Sequence, residues 1–374
     1  VPTAPPLIAF VTAALACVLL QPLARRWGLL DRPGGRKTHH GAVPLVGGIA
    51  MLLGLAAGIG SSAQLRGEAC VYLLAACALL VVVGALDDRF DLRPRFRLLT
   101  HSVAVVLGAS AIVLDQLTLG NIFGTGNVTL VGLPAAGMIL LLTAGMVNAM
   151  NMVDGADGIA GVFALIALTA MATLDLVWGA AGYAPVALTA AGAIVGFLLF
   201  NLPGRPNRSA RVFMGDAGST LLGFVMAWVA LGITQEPPTA ARPVTTLWFA
   251  ALPIYDLLWA IGRRIMQRRS PLAPDRGHLH HLLLDGGLTV RATFGLLAVL
   301  ALALAAIGGA LQALGAPDWA SFGLFLCCGV GTFALLRKVT AHHTRLPRRW
   351  RREGVDAAQA QTVAVATSGR AADR

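Results

Sequence analysis

The chain has 374 residues, of which 56% are hydrophobic and only 13% charged, and its mean hydropathy is +0.72. Those values exclude an ordinary soluble domain and describe a polytopic membrane protein. The formal net charge of +11 would suit nucleic acid, but the placement of the basic residues along the chain excludes that partner.

Apolar windows near 5–23, 44–62, 69–86, 98–114, 133–152, 158–178, 184–201, 217–234, 244–262, 292–312 and 318–336 are each long enough to cross roughly 30 Å of hydrocarbon. The expected fold class is therefore all-α, a polytopic integral membrane protein with about 11 transmembrane helices. An odd number puts the termini on opposite sides. Arg25, Arg26, Arg32, Arg36 and Lys37 fall in the first loop, and Arg89 to Arg97, Arg205 to Arg211, Arg263 to Arg276 and Arg337 onward fall on the same side. Only Arg66 and Arg242 lie in loops on the other. The positive-inside rule then sets the N-terminus outside and the C-terminus in the cytoplasm. The basicity reports topology, with anionic membrane lipid and a phosphorylated substrate as partners. A transmembrane unit with cytoplasmic catalytic loops is expected over 1–338, and a basic, disordered tail over 339–374. The first apolar run reads as a retained helix rather than a cleaved signal. Cys17, Cys70, Cys77, Cys327 and Cys328 sit inside apolar runs and read as small packing residues.

The polar chemistry lies on one side. The expected cytoplasmic loops are 24–43, 87–97, 153–157, 202–216 and 263–291, and they hold or border every acidic or histidine-rich motif. Asp87 and Asp88 end the third apolar window, with Asp91 one turn on. Adjacent carboxylates raise each other's pKa unless a cation lies between them, and acids at a helix C-terminus oppose its dipole. Asn148, Asn151, Asp154 and Asp157 recur every three residues. On a helix such steps drift by about 60°, which makes a slanted polar stripe of hard oxygen ligands for Mg²⁺ or sugar hydroxyls. Glycines at 155 and 158 break the helix there.

The segment Phe213-Met214-Gly215-Asp216-Ala217-Gly218-Ser219 opens the eighth window, where Asp216 reads either as an N-cap or as part of an anion site. His278, His280 and His281 follow Asp275 and Arg276 near four further arginines, a combination that suits phosphate oxygens. Arg36 and Lys37, beside His39 and His40, read either as a phosphate clamp or as topology markers. Asp256 is an acid within the ninth window, functional by default or the neutraliser of an arginine. A transporter would need polar groups at the midplane or on both faces, so one-sided acids favour an enzyme.

In order, DRPGGRKTHHGAVPLVGG, LDDRFDL, NAMNMVDGADG, FLLFN, FMGDAGS and SPLAPDRGHLHH occupy roughly residues 31 to 281. This series resembles the polyprenyl-phosphate N-acetylhexosamine-1-phosphate transferases, within them the branch that uses UDP-N-acetylglucosamine. The phospho-N-acetylmuramoyl-pentapeptide branch carries three consecutive His and PTMGG where this chain has HLHH and VPLVGG. His40 stands where some relatives carry Lys. The resemblance implies attack of undecaprenyl phosphate on the β-phosphorus of UDP-N-acetylglucosamine, with UMP leaving. It also implies a multi-pass protein of the bacterial inner membrane, with a cytoplasmic active site that initiates cell-surface polysaccharide such as O-antigen.

Carried over, Asp216 is the favoured Mg²⁺ (or Mn²⁺) ligand, with Asp88 and Asp154 beside the metal, and Phe213 is a stacking platform for uracil. Asn201, Asp154 and Asp157 hold nucleotide and metal, Asn148 and Asn151 share that substrate face, and Arg36 and Lys37 face phosphate. Asp87 is the candidate base toward the lipid phosphate, while His278, His280, His281 and Arg276 contact the diphosphate or the lipid phosphate. Another UDP-N-acetylhexosamine, a transporter and a membrane scaffold stay as alternatives, and a homodimer stays open.

Overall fold

The computed structural model describes residues 3–31, 41–109, 116–155, 157–179, 182–202, 210–236, 239–270, 277–286 and 288–345. Its helices are α1 (Ala4–Leu19), α2 (Gln21–Trp27), α3 (Gly47–Gly60), α4 (Glu68–Phe90), α5 (Pro94–Ala109), α6 (Leu133–Val153), α7 (Ile159–Trp178), α8 (Ala184–Asn201), α9 (Gly215–Gln235), α10 (Pro243–Phe249), α11 (Ala251–Met266), α12 (Leu279–Asp285), α13 (Val290–Ala313) and α14 (Asp318–Arg345). Two small antiparallel pairs accompany them, β1 (Leu30–Asp31) with β2 (Val43–Pro44) and β3 (Gln116–Gly120) with β4 (Val128–Val131). The protein is an all-α polytopic membrane protein. Every apolar window of the sequence carries a helix.

Among the described residues, six helices are long and apolar enough to span a bilayer, or eight if each bent pair counts as one span. One bent pair is α10 with α11, which meet at 81°. Pro253 explains the break: it has no N–H to give the Phe249 carbonyl one turn earlier, and α10 ends at Phe249. The other is α1 with α2, bent by 46°. Helix α14 runs to Arg345, so helical structure passes the expected boundary at 338, and residues 346–374 lie outside the described set.

Helix α9 is the axis of the bundle. Of its apolar window 89% is inside the protein, against 22% for α13, which turns most of its surface outward. Small residues let its neighbours approach: a Cβ at Gly84 of α4 would run into the Ala217 backbone, and one at Gly48 of α3 into that of Gly218. The ends of the helices sort into two groups. At one end Asn201, Asp88 and Asn151 reach the segment 212–219. At the other, the Gln235 side chain bonds both backbone groups of Thr118 in β3, and Asp318 accepts the N–H of Asn121. The β3–β4 hairpin thus covers the bundle end away from the acidic motifs.

Candidate active site

The centre of the acidic end is the start of α9. Gly215 has φ of +67°, a conformation that favours glycine, and a Cβ there would run into the Asp88 carboxylate. The close approach lets Asp88 Oδ1 accept the Asp216 N–H at 2.9 Å and Oδ2 the Ala217 N–H at 3.4 Å. A carboxylate is favoured at this position because unpaired N–H groups and the helix dipole converge there. The Asp of LDDRFDL is thereby a remote cap for the helix of FMGDAGS.

Asp87 is buried at the last turn of α4, where its Oδ1 accepts the Leu92 N–H at 2.7 Å. Arg97, from the first turn of α5, places Nη1 3.0 Å from Asp87 Oδ2 and 3.6 Å from Asp216 Oδ2. One guanidinium nitrogen therefore bridges two carboxylates. Asp216 Oδ1 accepts from Asn151 Nδ2 at 2.6 Å, and that amide also reaches Ser219 Oγ at 3.2 Å. A pocket opens beside these groups, lined by Asp87, Arg97, His101 and Asp216 together with apolar Leu80 and Val83.

The α6–α7 turn adds further acids. Helix α6 ends at Val153, so Asn148 and Asn151 lie on the helix while Asp154 and Asp157 lie beyond it. The helix stops where the glycines at 155 and 158 were expected to break it, so the polar stripe runs from α6 onto the expected 153–157 loop. Asn148 bonds its own helix at the Ala144 carbonyl, 2.8 Å away. Desolvation in the crowded turn, then the charges of Asp216, Asp88 and Asp157, push the Asp154 carboxyl well above the usual range. Asp157 Oδ2 accepts the Ala210 N–H at 3.3 Å. Asn201 is buried, accepting the Gly158 N–H at 2.7 Å and donating to the Val212 carbonyl at 2.9 Å. Its amide fixes the turn against the Phe213 segment. Phe213 itself is held by backbone bonds to Pro44 at 2.9 Å and Gly47 at 3.0 Å, which docks VPLVGG onto FMGDAGS.

The histidines form a third wall. His280 is buried, its ring centroid lies 4.2 Å from that of His281, and the rings of His278 and His280 stack 6.1 Å apart. His280 Nε2 has no hydrogen-bond partner and faces Gly155, where a Cβ would collide with it. Burial first, then the neighbouring imidazoles of His281 and His278, lower its pKa to about 3, so it is neutral in the fold. Asp256 reaches His278 from α11. Arg36, Lys37 and Arg276, expected to face phosphate, lie outside the described residues.

The donor chemistry fits a divalent cation. Asp88, Asp154, Asp157 and Asp216 share one field, the donors are carboxylate oxygens, and the Arg97 guanidinium stands at ion-pair distance from Asp87 and Asp216. Among the described residues, no three His, Cys, Asp or Glu side chains converge as a ready ligand set. Asp88 faces the N–H groups of α9, and Asp216 shares its oxygens with Asn151 and Arg97.

The sequence profile of glycosyl transferase family 4 matches residues 70–234, which contain Asp87, Asp88, the α6–α7 turn and Asp216. The chain is 35% identical over 350 residues to the undecaprenyl-phosphate alpha-N-acetylglucosaminyl 1-phosphate transferase of Salmonella typhi, covering 92% of this chain and 94% of that protein. The chain belongs to this transferase family. The same-named proteins of Escherichia coli K12 and Yersinia pestis are 35% identical over 85% of the chain and 38% over 81%, covering 86% and 83% of their own lengths.

In this transferase the structure draws Asp87, Asp88, Asn151, Asp154 and Asp216 into one end of the bundle, with the His280 ring abutting the α6–α7 turn. Sequence reasoning misses two residues of the site: Arg97 reads as one more positive-inside residue, and His101 belongs to no motif. The spacing Arg97 to His101, one helical turn behind LDDRFDL, is the signal that could have found that pair. Asp256 stands out as an acid in an apolar window, but its partner His278 does not show in the sequence.

Proposed function

We propose that the chain transfers N-acetylglucosamine 1-phosphate from UDP-N-acetylglucosamine to undecaprenyl phosphate in the bacterial inner membrane. The active site lies at the cytoplasmic face, and the product initiates a cell-surface polysaccharide. The observation that carries this reading is the joining of Asp88 to the α9 N-terminus beside Asp216, with Arg97 bridging Asp87 and Asp216. The sequence likeness over 92% of the chain supplies the substrate class.

An oxygen of the lipid phosphate forms a bond to the sugar-bearing phosphorus, the bond from that phosphorus to the bridging oxygen breaks, and UMP departs with the electron pair. Repulsion between anions is the main obstacle, and guanidiniums and a hard cation remove it. Asp216, Asp88 and Asp154 would hold Mg²⁺ or Mn²⁺, which supplies charge neutralisation at the phosphoryl oxygens when bound. Asn151 orients Asp216, and Asn201 keeps the Phe213 segment against the α6–α7 turn. Asp87 already accepts from Leu92 and Arg97. A phosphate monoester loses its second proton near pH 6, so above that pH Asp87 serves to place the lipid phosphate, and below it to accept the remaining proton.

The test is purified protein with undecaprenyl phosphate, Mg²⁺ and a panel of UDP-sugars, scored for UMP. UMP formed with UDP-N-acetylglucosamine supports the assignment. UMP with a different UDP-N-acetylhexosamine alone would move the sugar, and substrate movement across sealed vesicles without UMP would overturn the reaction.

A further inference from the structure

Asp256 is fully buried in the middle of α11 and stands apart from the acids around Asp216. Its Oδ2 lies 2.9 Å from His278 Nδ1, and its Oδ1 accepts the Leu279 N–H at 2.8 Å. One carboxylate thus grips both the imidazole and the first turn of α12. Two more contacts tie the same helix to the segment ahead of α12: Trp259 Nε1 donates to the Gly277 carbonyl at 2.9 Å, and the Arg263 guanidinium lies against Gly277 where a Cβ would collide. His278 occupies the N-cap position of α12 and makes no cap bond with its own side chain, so the cap comes from Asp256.

An acid buried in an apolar helix is costly unless a partner or a function offsets it. Capping alone would be met locally by Ser, Thr or Asn at position 278. A carboxylate does more, because it only accepts: it draws the His278 proton to Nδ1 and leaves Nε2 free as an acceptor. We propose that Asp256 is a positioning residue for the transferase reaction, fixing the tautomer and angle of His278 and setting α12 so that His280 meets the α6–α7 turn. The inference rests on the transferase reading for its activity readout.

Asp256→Asn separates the two roles. It keeps an oxygen for Leu279 N–H but turns an NH₂ toward His278 Nδ1, which sends the imidazole proton to Nε2. The turnover number for UMP release should fall about 10–100-fold, with KM for the UDP-sugar and the melting temperature near wild type. In a His278→Gln background the same change should cost no more than about twofold further. Independent, multiplying losses in the two variants would overturn the proposal, as would full turnover in Asp256→Asn. A second measurement needs no variant to fold: the ¹⁵N spectrum of histidine-labelled wild type should show His278 protonated at Nδ1. A proton on Nε2 there would also overturn it. Wild type that forms no UMP would defeat the transferase reading, and the tautomer measurement would still decide the placement of His278.

Discussion

Asp88 accepts the backbone N–H of Asp216 at 2.9 Å, so the acid of one motif caps the helix that begins with the acid of another. The two motifs are separated by 128 positions and meet because Gly84 and Gly215 leave no side chain between α4 and α9. The start of α9, and with it the Asp216 backbone, is therefore anchored to α4. Asp88→Ala should cost about 0.5–2 kcal/mol through the lost cap, lowering both the detergent melting temperature and UMP formation. Asp88→Asn, which keeps an acceptor, should melt close to wild type. Identical melting of all three proteins would show that the cap carries no weight.

Gly215→Ala meets two obstacles at once. An L-residue at φ of +67° is strained by roughly 1–2 kcal/mol, and the new Cβ runs into Asp88. The variant should melt lower than Asp88→Asn and lose more activity. Thermal melts and UMP release on the same preparations compare them.

Arg97 pairs with Asp216, so a cation bound by Asp216 would compete with it. Arg97→Ala should cut turnover by about 10²-fold, the scale for losing one charge-stabilising donor, while lowering the Mg²⁺ concentration needed for half-maximal rate. Arg97→Lys should fall between, since one ammonium replaces the bridging guanidinium. A Mg²⁺ titration of UMP release reads both effects. An unchanged or raised Mg²⁺ requirement in Arg97→Ala would remove the competition.

His280 makes stability pH-dependent. Its folded pKa of about 3 lies below the unfolded value near 6.5, so the unfolded chain binds a proton that the fold rejects. This contribution is fully present above about pH 6.5 and is lost as pH falls toward about 3. The melting temperature should drop across that window, and His280→Gln should flatten the drop. Parallel curves for the two proteins would place the titration elsewhere.

Hydropathy located the helices because a run of apolar residues must be satisfied internally in lipid, and every expected window from α1 to α14 carries one. What hydropathy could not show was the 81° break at Ala250, although Pro253 was its written cause. The β3–β4 hairpin was equally hidden in the stretch between α5 and α6. Its signals were Val128-Thr129-Leu130-Val131 and the glycines at 120, 124 and 126 with positive φ, and the distant Gln235 amide bonds the backbone of Thr118 in β3. The acids of the site were legible because each stands out from an apolar run. Their partners were not: Arg97 looked like one more positive-inside residue, and the bond from Asp256 to His278 crosses 22 positions. The end of α6 was legible as well, because the glycines at 155 and 158 mark where the polar stripe leaves the helix.

The most direct test of the central claim is the rate of UMP release by Asp216→Asn and Asp87→Asn over a grid of Mg²⁺ concentration and pH. If Asp216 serves the cation, its variant should lose about 10²–10³-fold in rate and recover part of it in excess Mg²⁺. Asp87→Asn should ignore Mg²⁺ and recover as pH rises through about 6 to 8, where the lipid phosphate sheds its own proton. Full activity in Asp216→Asn, at any Mg²⁺ concentration, would contradict the account.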